Sequence, residues 1–259
     1  MKKSILGLVA VGALITGPAL AADLPVKAPY APPPAPVTSW TGCYIDGGVG
    51  YGLVRSDHFG TGAGNVVLSQ TTSSGGEGWL GRVGGGCDYQ FASPFVIGAF
   101  ADYDFADLHG TALGSAGLAI GELRENAAWA AGGRVGYLVT PALLTYFDGG
   151  FTEARFDAVN LSTNTIPSVA TAFSLASHTY QGWFIGGGYE YALNSIPFVP
   201  INGLFWRTEY RFADYQVGVL PVLFRGVPTG MASHTQNNVQ TITSGLVWRF
   251  NFGGRGPAE

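Results

Sequence analysis

From Leu204 to Phe212 the chain alternates between two kinds of side chain. Leu204, Trp206, Thr208, Tyr210 and Phe212 fall on one face of an extended strand, and Phe205, Arg207, Glu209 and Arg211 fall on the other. This follows because successive residues of a strand point to opposite sides. The same two-faced pattern predicts eight strands: Trp40–Tyr51, Trp79–Phe91, Phe95–Phe105, Arg124–Val139, Leu143–Arg155, Thr179–Tyr191, Leu204–Phe212 and Gln240–Phe252. Their connections alternate in length. Those near Ser93-Pro94 and Thr140-Pro141 are tight, and Asn194 to Asn202 is modest. Gly52–Gly78, Ala106–Leu123, Phe156–His178 and Ala213–Val239 are predicted to be long loops rich in Gly, Ser, Thr and Asn.

Aromatic residues of one parity gather near the strand ends. Tyr89, Phe91, Phe95, Tyr137, Tyr189, Tyr191, Trp206, Trp248 and Phe250 form one expected belt, and Tyr51, Trp79, Tyr103, Phe105, Trp129, Tyr210 and Phe212 the other. Two girdles around a band of smaller residues suit two membrane interfaces. Short turns alternating with long ones point the same way. A secreted β-sandwich also alternates, but its outer faces carry the Lys/Glu/Thr mixture of a wetted surface, which is missing here. The expected fold is all-β, an eight-stranded antiparallel transmembrane β-barrel.

Composition sharpens this picture. Charged residues are 12% of the chain, against roughly 25% in soluble domains. The 40 glycines suit a narrow interior, where long polar side chains fit only beside very small ones. The formal net charge is −4 and the only lysine after the first three residues is Lys27, so no basic patch suggests nucleic acid.

The N-terminus reads as a secretory leader over residues 1–21: Lys2 and Lys3, an apolar run from Ile5 to Leu20, and a small-x-small site at Ala19-Leu20-Ala21. Residues 22–39 hold Pro25, Pro29, Pro32, Pro33, Pro34 and Pro36 and are expected to form an extended periplasmic tether. The barrel is expected over 40–252, followed by a short tail over 253–259. An even strand number puts both termini in the periplasm of an outer-membrane barrel.

The face opposite the aromatics assigns Asp46, Arg82, Asp88, Asp102, Asp104, Arg134, Asp148, Glu190, Arg207, Glu209, Arg211 and Arg249 to the lumen. Seven acids and five arginines in one narrow space must pair, and the planar guanidinium suits several carboxylates at once. Such a network either fills the barrel or lines a narrow ion path. Leu246 is read as lipid-facing, tolerant of Phe but not Arg, and Val247 as its inward neighbour, less sensitive to a polar residue. Cys43 and Cys87 share the outward parity at similar levels of adjacent strands. They are candidates for a cross-strand disulfide, although such bridges are often strained and a free cysteine is itself a good small apolar residue facing lipid. His58, His109, His178 and His234 fall in or beside the long loops without metal-ligand spacing. No nucleophile, base and orienting group come together, so no enzyme is expected, and no cofactor.

Several strings resemble the small outer-membrane barrels of alphaproteobacteria, the porin-family group of outer-membrane immunogenic proteins, related in fold to the OmpA transmembrane domain. They are Ala22-Asp-Leu-Pro25, Trp40-Thr-Gly-Cys-Tyr-Ile45, Gly132-Gly-Arg-Val-Gly-Tyr137, Gly186-Gly-Gly-Tyr-Glu-Tyr191 and Thr208-Glu-Tyr-Arg-Phe212. Cys43 departs from the pattern where an aromatic is expected, and Phe100 where an inward carboxylate is usual. The resemblance implies a structural or surface role in the outer membrane. The expected partners are outer-membrane lipid and lipopolysaccharide, the barrel-insertion machinery, and host or extracellular ligands at the loops. A narrow porin and a loop-mediated adhesin or haem receptor are the alternatives.

Overall fold

The structure is a computed structural model that describes residues 39–250, apart from 114–118, 197 and 200. The leader, nearly all of the proline-rich tether, the tail, Phe252 and the predicted cleavage site lie outside the described residues. Eleven strand segments make one antiparallel sheet that closes on itself. They are β1 (Gly42–Thr61), β2 (Thr72–Ala92), β3 (Phe95–Leu113), β4 (Ala119–Thr140), β5 (Leu143–Phe156), β6 (Val159–Thr163), β7 (Ala170–Leu175), β8 (His178–Ala192), β9 (Leu204–Tyr215), β10 (Gly218–Phe224) and β11 (Val227–Phe250).

The eleven segments are eight strands. Three of the eight are interrupted at one level, at 157–158, 176–177 and 216–217. Register passes through the first break unchanged, with Phe156 opposite His178 on one side and Val159 opposite Leu175 on the other. Below the breaks the ring runs β1-β2-β3-β4-β5-β8-β9-β11 and returns to β1. Above them β6, β7 and β10 take the places of β5, β8 and β9, with β6 paired to β4 and β10 to β11. A closed ring leaves no unpaired edge at either level.

The four long loops expected from sequence are therefore mostly strand. β1 has 20 residues and β11 has 24, roughly twice the ~10 residues that a tilted strand needs to cross a membrane. The inner ends fall where alternation placed them, and the outer ends run far beyond. The turns at Ser93-Pro94 and Thr140-Pro141 share one end, the near rim, with Trp40 and Phe250. The outer turns, such as Arg225-Gly226, form the far rim.

Both aromatic girdles are present on the outer wall. Tyr89, Phe91, Phe95, Tyr137, Tyr189, Trp206, Trp248 and Phe250 are exposed near one rim, with Tyr191 half-buried. Trp79, Tyr103, Phe105, Trp129 and Tyr210 are exposed in the second belt, where Tyr51 and Phe212 are half-buried. Phe151 and Trp183 join that belt.

Leu246 is 44% exposed and Val247 is 0% exposed, as alternation requires. Val247 nevertheless packs in an apolar cluster with Trp40, Leu144 and Phe205. The interior is not uniformly polar, so the smaller penalty expected for a polar residue at Val247 runs against its apolar surroundings. Phenylalanine separates the two faces better. Leu246→Phe is expected to leave stability near wild type, and Val247→Phe to overpack the interior at a cost of about 1–3 kcal/mol. Leu246→Arg is expected to cost about 2–4 kcal/mol near the membrane midplane. Urea unfolding in lipid vesicles checks all three, and equal losses for the two phenylalanine variants would contradict the facing.

Candidate functional site: the filled barrel interior

All twelve charged residues assigned to the lumen point inward, and none is exposed. The small neighbours that alternation supplies make room for them. A Cβ on Gly84 would lie 2.9 Å from the Asp102 Cβ and 3.2 Å from an Asp46 oxygen, and one on Gly188 would lie 2.8 Å from the Tyr146 hydroxyl.

Eleven of the twelve sort into two tiers. In the tier nearer the near rim, Glu190 accepts from three arginines: Arg134 at 2.7 Å, Arg249 at 2.5 Å and the Arg207 Nε at 2.9 Å. Asp88 takes a two-pronged contact from Arg134 at 2.8 and 2.5 Å and a third bond from Arg249 at 2.6 Å. Asp46 pairs with Arg207 at 3.1 Å. The Tyr44 ring lies among the same arginines, 4.7 Å from Arg134, 4.8 Å from Arg207 and 5.0 Å from Arg249. Three guanidiniums thus face three carboxylates with an aromatic ring among them, and charge balances within the tier.

The second tier is built on Arg82 and Arg211. Arg82 donates to both oxygens of Asp104 at 2.7 and 2.8 Å and to Glu209 at 2.8 Å. Arg211 grips Asp102 at 2.9 and 2.8 Å and reaches Glu209 at 2.9 Å. Tyr146 donates its hydroxyl to the second Glu209 oxygen at 2.9 Å. Asp148, the twelfth residue, is buried beside Glu209, and among the described residues it makes no hydrogen bond or ion pair with an arginine.

Apolar packing closes the interior on both sides of these tiers. Trp40 is 0% exposed, turned into the near mouth against Phe205 at 4.9 Å between ring centres. Its indole N–H donates to the Pro141 carbonyl at 3.2 Å, and Arg249 lies 4.8 Å above its ring. Alternation counted Trp40 as the first residue of a strand, whereas β1 begins at Gly42 and Trp40 acts as a stopper. Toward the far rim, Leu80, Leu108, Leu123, Phe156, Val159, Leu175, Tyr180, Leu220 and Val239 form a continuous core. Among the described residues, a void of about 20 Å³ lies beside Asp46, Arg82 and Arg207, and another of about 20 Å³ beside Asp104, Glu125 and Tyr215. Each has room for about one water.

Glu125 is the charged interior residue that alternation misses. A register shift between Glu125 and Ala127 turns one odd-numbered stretch of β4 inward, so Glu125 and Leu123 are buried. Such a bulge inverts parity and leaves no mark in the hydropathy pattern.

Cys43 and Cys87 stand directly opposite each other on β1 and β2 and are joined by a disulfide. The four histidines do not gather. His58 is buried in the outer ring, His178 packs on Tyr180, and His234 stacks on Phe59 at 4.6 Å. His109 lies on the outer wall beyond the second girdle, between Glu122 and Asp107. Hydrogen bonding to Glu122, aided by Asp107, raises its pKa above the ordinary imidazole value. Among the described residues no three His, Cys, Asp or Glu side chains are arranged to hold a metal ion.

Comparison with known proteins agrees with this architecture. The chain is 29% identical over 220 residues to the 31 kDa outer-membrane immunogenic protein of Brucella melitensis biotype 1, covering 82% of this chain and 87% of that protein. The Brucella suis biovar 1 protein of the same name matches equally. Among solved structures, the outer membrane protein OprG from Pseudomonas aeruginosa aligns with a TM-score of 0.48 at 14% identity, over 82% of this chain and 97% of that one. Ail of Yersinia pestis aligns at 0.33 and 10% identity, over 80% and 99%. A family model described as the outer membrane protein beta-barrel domain matches residues 9–250. The chain belongs to that family of outer-membrane β-barrels.

Proposed function

We propose that the protein is a structural, non-catalytic and non-conducting barrel that strengthens the outer membrane and carries a rigid extension to the cell surface. In this reading the near rim and both chain ends face the periplasm and the outer turns face outward. The observation that carries it is the filled interior: two ionic tiers, apolar packing at each end, and small voids of about 20 Å³ beside the charges among the described residues. A path for ions needs a continuous wetted channel. Beyond the second girdle the outer wall carries exposed Arg55, Glu77, Asp107, Glu122, Arg124 and Arg155. That mixed-charge surface fits the phosphate and sugar layer of lipopolysaccharide, and a closed wall suits delivery by the barrel-insertion machinery.

Refolded protein in planar bilayers tests the reading. Wild type is expected to give no steady openings, and Arg82→Ala or Arg134→Ala to produce at most irregular leaks. Steady openings of wild type whose size changes in either variant would establish a porin instead.

One observation favours a second role, in binding. Ile166 is fully exposed at the far rim, Val169 is exposed on the same turn, and Val66 and Val227 are exposed at other outer turns. Apolar tips on a rigid stalk suit contact with an extracellular ligand or host surface. Because the histidines lie apart, such binding rests on these tips and not on imidazole ligation of haem.

A further inference from the structure

A groove of about 810 Å³ runs along the outer wall between the two girdles, from the inner ends of β2 and β3 across β4, β5, β8 and β9. That volume lies within the roughly 300–1,000 Å³ of ligand pockets. Its cross-section follows from register. Phe147, Gly187 and Tyr210 stand side by side on three neighbouring strands, all with outward parity. Strands lie ~4.8 Å apart, so the backbones of Phe147 and Tyr210 stand roughly 10 Å from each other across the glycine, and the groove runs between their side chains.

One wall is held by a hydrogen bond, the other projects from the barrel, and the floor between them is glycine. Phe147 is 74% exposed and projects from the wall. Tyr210 is held upright by its hydroxyl, which donates to Gln240 at 2.8 Å. A Cβ on Gly187 would lie 3.0 Å from the Tyr146 carbonyl oxygen and 3.2 Å from the Phe147 ring. At the near rim the groove is bounded by Phe95 and Tyr137, whose rings meet edge to face at 5.5 Å, and it rises to Phe212. The Thr145 hydroxyl within it already donates to the Tyr137 carbonyl at 3.2 Å. The lining offers hydrocarbon and aromatic faces, and this side-chain hydroxyl is engaged.

We infer that this groove is a binding site for one acyl chain of a phospholipid whose headgroup lies at the near rim. Lipid is the solvent between the girdles, and a preformed slot orders a chain that flat wall leaves mobile. Placing that phospholipid in the periplasmic leaflet rests on the orientation proposed above.

Native mass spectrometry of the barrel extracted from membranes in mild detergent tests the site. Wild type is expected to retain one phospholipid per barrel. Phe147→Ala removes a wall and should lower occupancy about tenfold, the effect of losing contacts worth ~1.4 kcal/mol. Val49→Ala, on the exposed outer face of β1, should retain lipid as wild type does. Heat-dependent gel migration confirms that each variant is folded. If Phe147→Ala fails to fold, Thr145→Trp fills the lower groove and should displace the lipid. Wild type without bound phospholipid, lipid A as the retained species, or equal retention in wild type and the folded groove variant would overturn the site. A conducting barrel would leave these results unchanged, and labelling of a tag at Gly226 on intact cells reads orientation separately.

Discussion

Glu190→Ala destabilises the folded barrel by about 3–5 kcal/mol, the cost of removing one partner from a buried ionic cluster. Glu190 is 0% exposed and holds Arg134, Arg207 and Arg249 together. Without it, Arg134 and Arg249 share Asp88, Arg207 keeps only Asp46, and three guanidiniums face two carboxylates. Excess positive charge in a dry interior cannot be relieved by rotating into water. Asp148→Asn should lose far less, since among the described residues Asp148 makes no direct ion pair with an arginine. Urea unfolding in lipid vesicles, followed by gel migration of unheated samples, measures both. Similar losses for the two variants would mean that burial of polar groups, and not pairing, sets the cost.

Trp40→Ala is expected to cost about 3–5 kcal/mol, as large-to-small changes of buried aromatics do. Trp40 fills the near mouth, packs on Phe205, lies under Arg249 and bonds the Pro141 carbonyl. Its removal withdraws apolar cover from the first ionic tier and admits water to it. Trp40→Phe keeps the ring packing and loses the indole hydrogen bond, so it should recover most of the stability. The same urea experiment reads this, and an alanine variant as stable as wild type would show that the mouth is closed by other residues.

These expectations share one physical basis. The interior is arranged in layers along the barrel axis: apolar stopper, ionic tier, ionic tier, apolar core. Each apolar layer excludes water from the charges next to it, which strengthens their pairing and raises the penalty for leaving one unpaired. A rigid filled cylinder follows, and rigidity suits a wall that crosses a membrane and continues beyond it.

Much of this was legible from residue order alone. Between the girdles one face meets lipid and the other meets packed charge, so alternation is strong there, and all twelve inward charges and both belts followed from parity. The pairing of Cys43 with Cys87 stayed open because parity and level bring two cysteines near each other, while register decides whether they meet. Beyond the second girdle the signal fades for a physical reason. On β11, Ser233, Thr235 and Asn237 point inward while His234, Gln236 and Asn238 point outward. Both faces are polar because the outer one is wetted, so strand and loop look alike in sequence. Only closure of the ring, which pairs these backbones with neighbouring strands on both sides, makes those stretches extend. Tertiary structure also decided what parity could not: the bulge that turns Glu125 inward, the turn that seats Trp40 in the mouth, and which arginine meets which acid. Alternation fixes the side of the wall a residue occupies, but the stagger between strands fixes its height, and contact inside a barrel depends on height.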